Sequence, residues 1–363
     1  MPLTTFDRHI IRRLVQGYAF LVGALIVFFI VLHYVESIDD FMDRGATMRD
    51  VFLVYYVNYI PEIVRLTSPL ALFLACVYLT GKLAQQLQLA ALQTSGVSLY
   101  RLLCPYVLVA LCVTGFMVWF NGFVVPRTNQ VVLAFEQKYL KDAPRQLDLN
   151  DIHRQNRPGS FVTVGYFDRE TNKAFRVSLE HFEGGRRLAS RIDAHEMSWI
   201  DSLGLWRLSE PVVRTFTPDG REIRRTVARI DTLLQLYPRD LARTERDVES
   251  MTIPVAAEYV DQLRRSGASN IGRPLVGYYT KFSYPFANLI LILIGVPLSA
   301  VRRRGGQAVR IGLGLLTAFS YLAVQKLVEP FGYAGQLEPA LAAWLPHALF
   351  FGLAMGLLWH VRK

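Results

Sequence analysis

Cysteine is scarce in this chain, and its three copies, Cys76, Cys104 and Cys112, all lie in apolar stretches. The polar middle of the sequence contains none, so it predicts neither a disulfide framework nor a cysteine-based zinc site there. The seven histidines are scattered without the spacing that metal ligands show. We therefore expect this chain to bind no metal and no cofactor of its own.

The chain also lacks the short motifs of common catalytic and nucleotide sites. It has no G-x-x-x-x-G-K-S/T loop, no G-x-S-x-G elbow and no H-E-x-x-H pair. The net charge of +10 would suit nucleic acid, but the basic residues are dispersed or stand beside apolar runs. The sequence thus predicts neither an enzyme nor a nucleic-acid-binding protein.

Apolar residues make up 52% of the 363 residues and are gathered in blocks. Runs of about 20 apolar residues, enough to cross about 30 Å of hydrocarbon, occur at both ends of the sequence. We predict six membrane helices, at about residues 16–35, 56–80, 102–125, 282–301, 311–328 and 341–359. The first run is longer than a signal-peptide core and ends without a small-residue cleavage pattern, so we expect it to be retained, after a short amphipathic lead capped by Asp7.

Between the two membrane blocks the pattern changes to short alternating strands. FVTVGYF, AFRVSLEHF, RLASRIDAHEMSWI and LWRLSE are rich in Val, Ile, Phe and Trp, and turn signals separate them. They predict an all-β sandwich or jelly-roll-like domain, with a short helix at about 254–266 capped by Thr252. The predicted domains are residues 1–125 (three membrane helices), 126–270 (the β domain) and 271–363 (three more).

Residues 82–101, KLAQQLQLAALQTSGVSLYR, form a polar segment between two apolar runs. Glutamines and leucines alternate at helical spacing, which predicts an amphipathic helix. Gly96 is expected to end this helix and Ser98 to cap the next one. Pattern alone leaves two interpretations: an element that receives force from a cytoplasmic motor, or an ordinary amphipathic turn at the membrane surface.

Orientation follows from the short connections between the predicted spans. Their basic residues fall on one side of the membrane: Arg8, Arg12, Arg13, Lys82, Arg101, Arg302, Arg303, Arg304, Arg310, Arg362 and Lys363. By the positive-inside rule, that side is the cytoplasm. Both termini and residues 82–101 are then predicted to be cytoplasmic, and the β domain to be outside.

Four cations map near the outer boundary of the spans: Arg44, Arg65, Lys281 and Lys326. Burying a charge in hydrocarbon costs at least about 2.5 kcal/mol, so such residues usually face a cavity, a partner or the interface. A ring of these groups would suit the phosphates of a lipid headgroup. The alternatives are snorkelling to the interface, or local pairs such as Glu62 with Arg65.

The chain resembles the lipopolysaccharide export permeases, the paired LptF/LptG family of Gram-negative inner membranes. The residues that carry the resemblance are FDRHIIRR near the start, Pro61-Glu62 followed by SPLALFLA, LQTSGVSLYRLL, VVPRTN at 124–129, LWRL at 205–208, and KFSYPFANLILILIGVPLSAVRRRGG at 281–306. The order of these motifs, with three spans before and three after a β domain, is more specific than any one of them. The opening segment favours the G-type member.

The resemblance implies a permease subunit of an ABC transporter. It pairs with a second permease of the family and is driven by a cytoplasmic LptB-type ATPase dimer, which holds the ATP and magnesium. The cargo is lipopolysaccharide, passed by the β-jelly-roll to a periplasmic LptA-type bridge, with a single-span LptC-type protein as a further partner. The first and fifth spans line the lipid cavity, which makes Lys326 lipid-facing.

The resemblance also makes residues 82–101 the coupling helix seated on the ATPase. The expected coupling residues are Gln85, Gln88, Leu89, Leu92, Ser95, Gly96 and Arg101. Gln88 replaces the family's usual acidic residue, and His33, Tyr34 and Glu36 stand where lipid-binding members often carry lysines. Two rival functions remain open: a permease for another lipid or lipoprotein, and a membrane-anchored periplasmic scaffold that transports nothing.

Overall fold

The computed structural model describes residues 4–140, 146–147, 150–168, 171–184, 187–201, 203–217, 219, 221–234, 236–241, 243–244, 247–265, 271–300 and 306–360. The basic anchors Arg302, Arg303, Arg304, Arg362 and Lys363 lie outside these ranges. The described chain divides into two compact units. One comprises residues 1–143, 248–256 and 272–363, and the other comprises residues 144–247 and 257–271.

The helices, in chain order, are α1 (Thr5–Asp43), α2 (Met48–Asp50), α3 (Val57–Gln85), α4 (Gln88–Thr94), α5 (Leu99–Trp119), α6 (Val125–Tyr139), α7 (Pro238–Leu241), α8 (Ile253–Arg265), α9 (Gly272–Ser283), α10 (Ala287–Ala300), α11 (Gly306–Tyr333) and α12 (Pro339–His360). Within the described residues, six stretches are long and apolar enough to cross a membrane: Thr5–Asp43, Met48–Gln85, Leu99–Tyr139, Gly272–Ala300, Ile311–Tyr333 and Pro339–His360. The six predicted membrane helices are thus confirmed.

The third membrane helix is longer than its apolar run. A π-helical turn, Phe120–Val124, joins α5 to α6, so the helical stretch continues to Tyr139. The sequence-based domain boundary lay at residue 125, whereas the helical unit extends to residue 143. The hydropathy of the sequence does not indicate this extension, because α6 is amphipathic. Val132 and Phe135 are buried among aromatic residues, while the other face of α6 is polar.

The first helix begins one turn earlier than Asp7 would dictate. Thr4 is the N-cap, and its hydroxyl accepts a hydrogen bond from the Asp7 backbone N–H at 3.2 Å. The Asp7 carboxylate in turn accepts from the Thr4 backbone N–H at 2.9 Å. The expectation that Asp7 caps α1 is therefore wrong: an acidic residue at the third helical position completes a capping box that a hydroxyl residue begins.

Two left-handed residues shape the segment between α3 and α5, which we call the hairpin (residues 82–101). Leu87, with φ of 59°, separates α3 from the short α4, and Gly96, with φ of 90°, ends α4. The Ser98 hydroxyl then accepts from the Arg101 backbone N–H at 3.3 Å and caps α5. The predicted stop at Gly96 and cap at Ser98 are confirmed, whereas the break at Leu87 has no glycine or proline to announce it.

The strands are β1 (Gln146–Leu147), β2 (Asn150–Arg157), β3 (Ser160–Asp168), β4 (Lys173–Glu183), β5 (Arg187–Ile200), β6 (Leu205–Ser209), β7 (Val212–Phe216), β8 (Glu222–Thr226), β9 (Arg229–Thr232) and β10 (Arg243–Thr244). All the pairings are antiparallel. Eight strands form one sheet in the order β2-β3-β4-β5-β6-β9, with β7 pairing β5 and β8, while β1 pairs with β10. An all-β domain inserted between membrane helices is therefore confirmed.

The longest strand, β5, carries two neighbours on the same side. Its first half pairs with β7 (Ser190 opposite Thr215) and its second half with β6 (Glu196 opposite Ser209). The core of this unit centres on Trp206, which is fully buried and donates its indole N–H to the Leu236 carbonyl at 2.7 Å. A buried tryptophan with a satisfied N–H fixes the loop after β9 against the sheet.

Candidate functional site

A cavity of about 500 Å³ lies within the helical unit. Its wall is formed by α1, α3, the α5–α6 stretch, α9 and α11, and its polar lining residues are Glu62, Arg65, Thr67, Asn121, Asn129, Glu249, Thr280, Lys281, Tyr284, Gln325, Lys326, Glu329 and Tyr333. Three of the four predicted phosphate-binding cations therefore line one cavity. The fourth, Arg44, is exposed and does not belong to this lining.

Arg65 is compensated within the chain. Its guanidinium forms a two-bond ion pair with Glu62, of which the Nε to Oε2 distance is 2.9 Å, and lies 5.5 Å from the centre of the Tyr284 ring. Glu62 also accepts from the Asn129 amide at 3.2 Å. The alternative of a Glu62–Arg65 pair, one turn apart on a helix, is thus present, and it leaves Arg65 at the cavity wall with reduced net charge.

Lys326 is compensated as well. Its ammonium lies 2.9 Å from Glu329 Oε2, which also accepts from the Tyr333 hydroxyl at 3.3 Å. The Lys326 side chain remains 74% exposed. The Glu329 carboxylate therefore balances the charge of Lys326 at the cavity wall.

Lys281 is in a different situation. It is only 5% exposed, and the carboxylates of Glu62 and Glu249 line the same cavity. Its backbone carbonyl accepts from the Asn121 amide at 2.9 Å, which fixes this turn of α9 against the third membrane helix. A buried ammonium in a membrane helix is costly. The described lining of the cavity carries three cations, Arg65, Lys281 and Lys326, and three carboxylates, Glu62, Glu249 and Glu329.

The rest of the cavity is apolar. Its lining includes Leu25, Phe28, Phe29, Leu66, Leu70, Val125, Phe319 and Leu322. A site that combines hydrocarbon walls with a buried cation suits a lipid with an anionic headgroup. Sequence reasoning singled out most of the charged lining residues but missed Glu249, Asn121, Asn129 and Gln325. For Asn121 and Gln325 the available signal was a neutral polar residue inside an apolar run.

The hairpin is the second candidate element. Gln85, Gln88, Ser95 and Gly96 are exposed, and Leu92 is half-buried. Leu89, by contrast, is buried in the core of the bundle, so it anchors the hairpin instead of lying on its outer face. The Arg101 guanidinium is bound within the chain, with Nη1 2.9 Å from Asp7 Oδ1.

Comparison with known proteins decides the family. Residues 8–360 match the family described as lipopolysaccharide export system permease LptF/LptG. The chain belongs to this family. The LptG permease protein of Escherichia coli strain K12 is 20% identical over 331 residues, covering 89% of this chain and 90% of that protein. The LptG permease protein of Haemophilus influenzae strain Rd is 21% identical over 360 residues, covering 98% of each chain.

One position at which we expected a departure from the LptF/LptG pattern has a structural counterpart. His33, in the C-terminal half of α1, is not among the residues that line the cavity. Its ring nitrogens lie 3.1 Å from the Tyr56 hydroxyl and 3.2 Å from the Tyr55 hydroxyl. In this chain, that position therefore serves a hydrogen-bonded aromatic cluster, and the cavity cations come from the second, fourth and fifth membrane helices.

Proposed function

We propose that this chain is a permease subunit that takes lipopolysaccharide from the inner membrane of a Gram-negative bacterium and passes it towards the outer membrane. The observation that carries the proposal is the cavity of about 500 Å³, in which the buried ammonium of Lys281 and two further cations lie beside apolar walls. A protein retains a buried lysine in a membrane helix at a cost in stability, so an intramembrane cation is a functional-site candidate by default.

The chemistry of the cavity matches this cargo. Phosphate groups accept charge-assisted hydrogen bonds from ammonium and guanidinium groups, and acyl chains need apolar walls. Lys281 supplies a buried ammonium. Arg65 and Lys326 sit at the same wall and exchange part of their bonding with Glu62 and Glu329 for bonding with the headgroup.

The energy source in this proposal is a cytoplasmic ABC ATPase dimer seated against the hairpin. The exposed amides of Gln85, Gln88 and Gln93 give this surface hydrogen-bonding capacity without negative charge. Both termini are cytoplasmic and the β domain is periplasmic. A second permease completes the cavity, and the β domain delivers the lipid to an LptC-type protein and an LptA-type bridge.

Photocrosslinking tests the cargo. A crosslinking amino acid at Lys326 or at the cavity residue Leu322 is expected to capture lipopolysaccharide in the assembled complex. The matched control is Leu316, which lies on the same helix, is 63% exposed and does not line the cavity. Equal capture at all three positions, or none at the two cavity positions, would contradict the proposal.

Two further results separate the rival functions. Capture of a phospholipid or an acylated protein, but not of lipopolysaccharide, would make this chain a permease for another cargo. If the chain purifies without any ATPase, and the substitution Gly96→Pro in the hairpin does not change which proteins copurify, the result would favour a non-transporting scaffold. The φ of 90° at Gly96 is inaccessible to proline, so this variant disrupts the hairpin locally.

A further inference from the structure

An ion pair joins the start of the first membrane helix to the end of the hairpin. The Arg101 guanidinium binds the Asp7 carboxylate through two parallel hydrogen bonds, Nη1 to Oδ1 at 2.9 Å and Nη2 to Oδ2 at 2.5 Å. The Asp7 side chain is 3% exposed and that of Arg101 is 30% exposed. A two-bond guanidinium–carboxylate pair fixes direction as well as distance, which a single ionic contact does not.

Both partners are held in place by their own helices. The Thr4 hydroxyl and backbone N–H each donate to Asp7 Oδ2 at 2.9 Å, and the hydroxyl of Ser98 accepts from the Arg101 backbone N–H. The pair therefore connects the capped N-termini of α1 and α5. Movement of one N-terminus is transmitted to the other without first being lost in rotation of the side chains.

An apolar contact lies in the same region. Ile10 and Leu14 of α1 belong to one buried cluster with Leu89 and Leu99 of the hairpin. The buried residues of α1 fall only near its two ends: Asp7, Ile10 and Leu14 at one, and Ser37 and Phe41 at the other. The N-terminal end of α1 (Asp7, Ile10 and Leu14), which we call its foot, is therefore a point of attachment within this chain, in addition to the Tyr18–Ser68 hydrogen bond further along the helix.

The same helix forms part of the cavity wall. α1 runs without a break from Thr5 to Asp43, and Leu25, Phe28 and Phe29 line the cavity. At 1.5 Å per residue, the rise from Asp7 to Phe28 is about 30 Å. A displacement of the hairpin thus has a rigid path to the lipid site through α1, in addition to the covalent path through α3.

We propose that Asp7 is a positioning residue for transport: through Arg101 it makes the foot of α1 follow the hairpin, so that ATPase movements reach the cavity wall. This inference rests on the proposed function, because the hairpin must receive force from an ATPase. The competing explanation is an ion pair that only stabilises the fold, and it predicts that α1 moves with nucleotide state whether or not the pair is intact.

The test uses the full complex with the ATPase, with the exposed Cys104 and Cys112 replaced by alanine. Spin labels at Val31 on α1 and Leu345 on α12 report movement of the cavity helix between nucleotide-free and ATP-trapped states. A second pair, at Gln93 and Leu345, reports the hairpin. In Asp7→Asn we expect the hairpin shift to persist, the α1 shift to be lost, and lipopolysaccharide release per ATP hydrolysed to fall at least tenfold.

Two further variants complete the test. Arg8→Gln alters an exposed charge beside Asp7 and should leave both shifts unchanged. Arg101→Lys keeps the charge but loses the two-bond geometry, and it takes the place of Asp7→Asn if that variant does not assemble. If α1 shifts in Asp7→Asn as it does in the unmodified complex, this inference is overturned and the proposed function is not. The same holds for Arg101→Lys where that variant is used in place of Asp7→Asn. No nucleotide-dependent shift in the unmodified complex would overturn the proposed function as well.

Discussion

The hydroxyl group of Tyr55 donates a hydrogen bond to Glu136 Oε1 at 3.1 Å, which ties the second membrane helix to the amphipathic extension of the third. Because the hydroxyl proton is used there, His33 Nε2 must donate to the Tyr55 oxygen. His33 Nδ1 is then left to accept from Tyr56. The arrangement assigns a neutral His33 with the proton on Nε2.

Replacing Tyr55 by phenylalanine should lower the free energy of unfolding by about 1–3 kcal/mol, because it removes a donor from the buried Glu136 and an acceptor from His33. Thermal unfolding in detergent measures the effect. Tyr34→Phe is the matched control, since the Tyr34 hydroxyl donates to Met48 Sδ at 3.6 Å, a weak hydrogen bond in an exposed position. Equal losses in the two variants would contradict the network.

Lys281→Met should change stability and binding in opposite directions. Removing a buried ammonium is expected to raise the unfolding temperature, because methionine fills the space without a desolvation penalty. The affinity for lipopolysaccharide should fall about 10- to 100-fold, because the variant loses a charged hydrogen bond to phosphate. Lys138→Gln, an exposed lysine outside the cavity, should change neither. A loss of both stability and binding in Lys281→Met would mean that the lysine is structural.

Much of this architecture could be predicted from the sequence, because hydropathy and alternation act within one element. The segment FVTVGYF lies inside β3 (Ser160–Asp168), and RLASRIDAHEMSWI coincides with β5 (Arg187–Ile200). Glu62 and Arg65 could be paired from their spacing alone. These features depend on neighbours three or four residues away, or on the two-residue period of a strand.

The rest depends on contacts between distant parts of the chain. Arg101 was predicted to face an ATPase, yet its partner Asp7 lies 94 positions earlier in the sequence. The Lys326–Glu329 pair is local, three residues apart, whereas Glu249 and Lys281 reach one cavity from distant positions. No local pattern contains that second kind of information, so the sequence could predict the cations but not that three carboxylates share their cavity.

Leu87 is held in the left-handed conformation that glycine or asparagine adopts more readily, at a cost of about 1–2 kcal/mol. Leu87→Asn should therefore raise the unfolding temperature. Because the Leu87 side chain is 50% exposed on the hairpin, the same variant should retain less ATPase on purification. Leu87→Met keeps both the strain and the apolar surface and should behave as the unmodified chain. Undiminished ATPase retention in Leu87→Asn would remove Leu87 from the docking surface.

In the β domain, Arg207 donates to both carboxylate oxygens of Asp231, at 2.8 and 3.0 Å. These hydrogen bonds lower the pKa of Asp231 below its ordinary value. A lowered pKa in the folded state means that the stabilisation is present above about pH 4 and is lost as the pH falls through the folded pKa. Unfolding midpoints of the unmodified chain and Arg207→Gln should differ at about pH 6 and converge under acid conditions. A gap that widens in acid would contradict this sign.

Gly272, at the start of α9, approaches the end of α11 too closely for any side chain. A Cβ atom there would lie 2.5 Å from the Tyr333 carbonyl oxygen and 2.6 Å from that of Gly332. Because both contacts are backbone atoms, Gly272→Ala must displace one of the two helices. We expect this variant to lower the free energy of unfolding by about 1–3 kcal/mol.

The control is Gly352→Ala in α12, where a Cβ would meet open space. That variant should raise the free energy of unfolding by about 0.5–1 kcal/mol. Since α9 carries Lys281 and α11 carries Lys326, the displacement should also weaken lipopolysaccharide binding in Gly272→Ala and leave it unchanged in Gly352→Ala. Intact stability and binding in Gly272→Ala would mean that the two helices are free to separate.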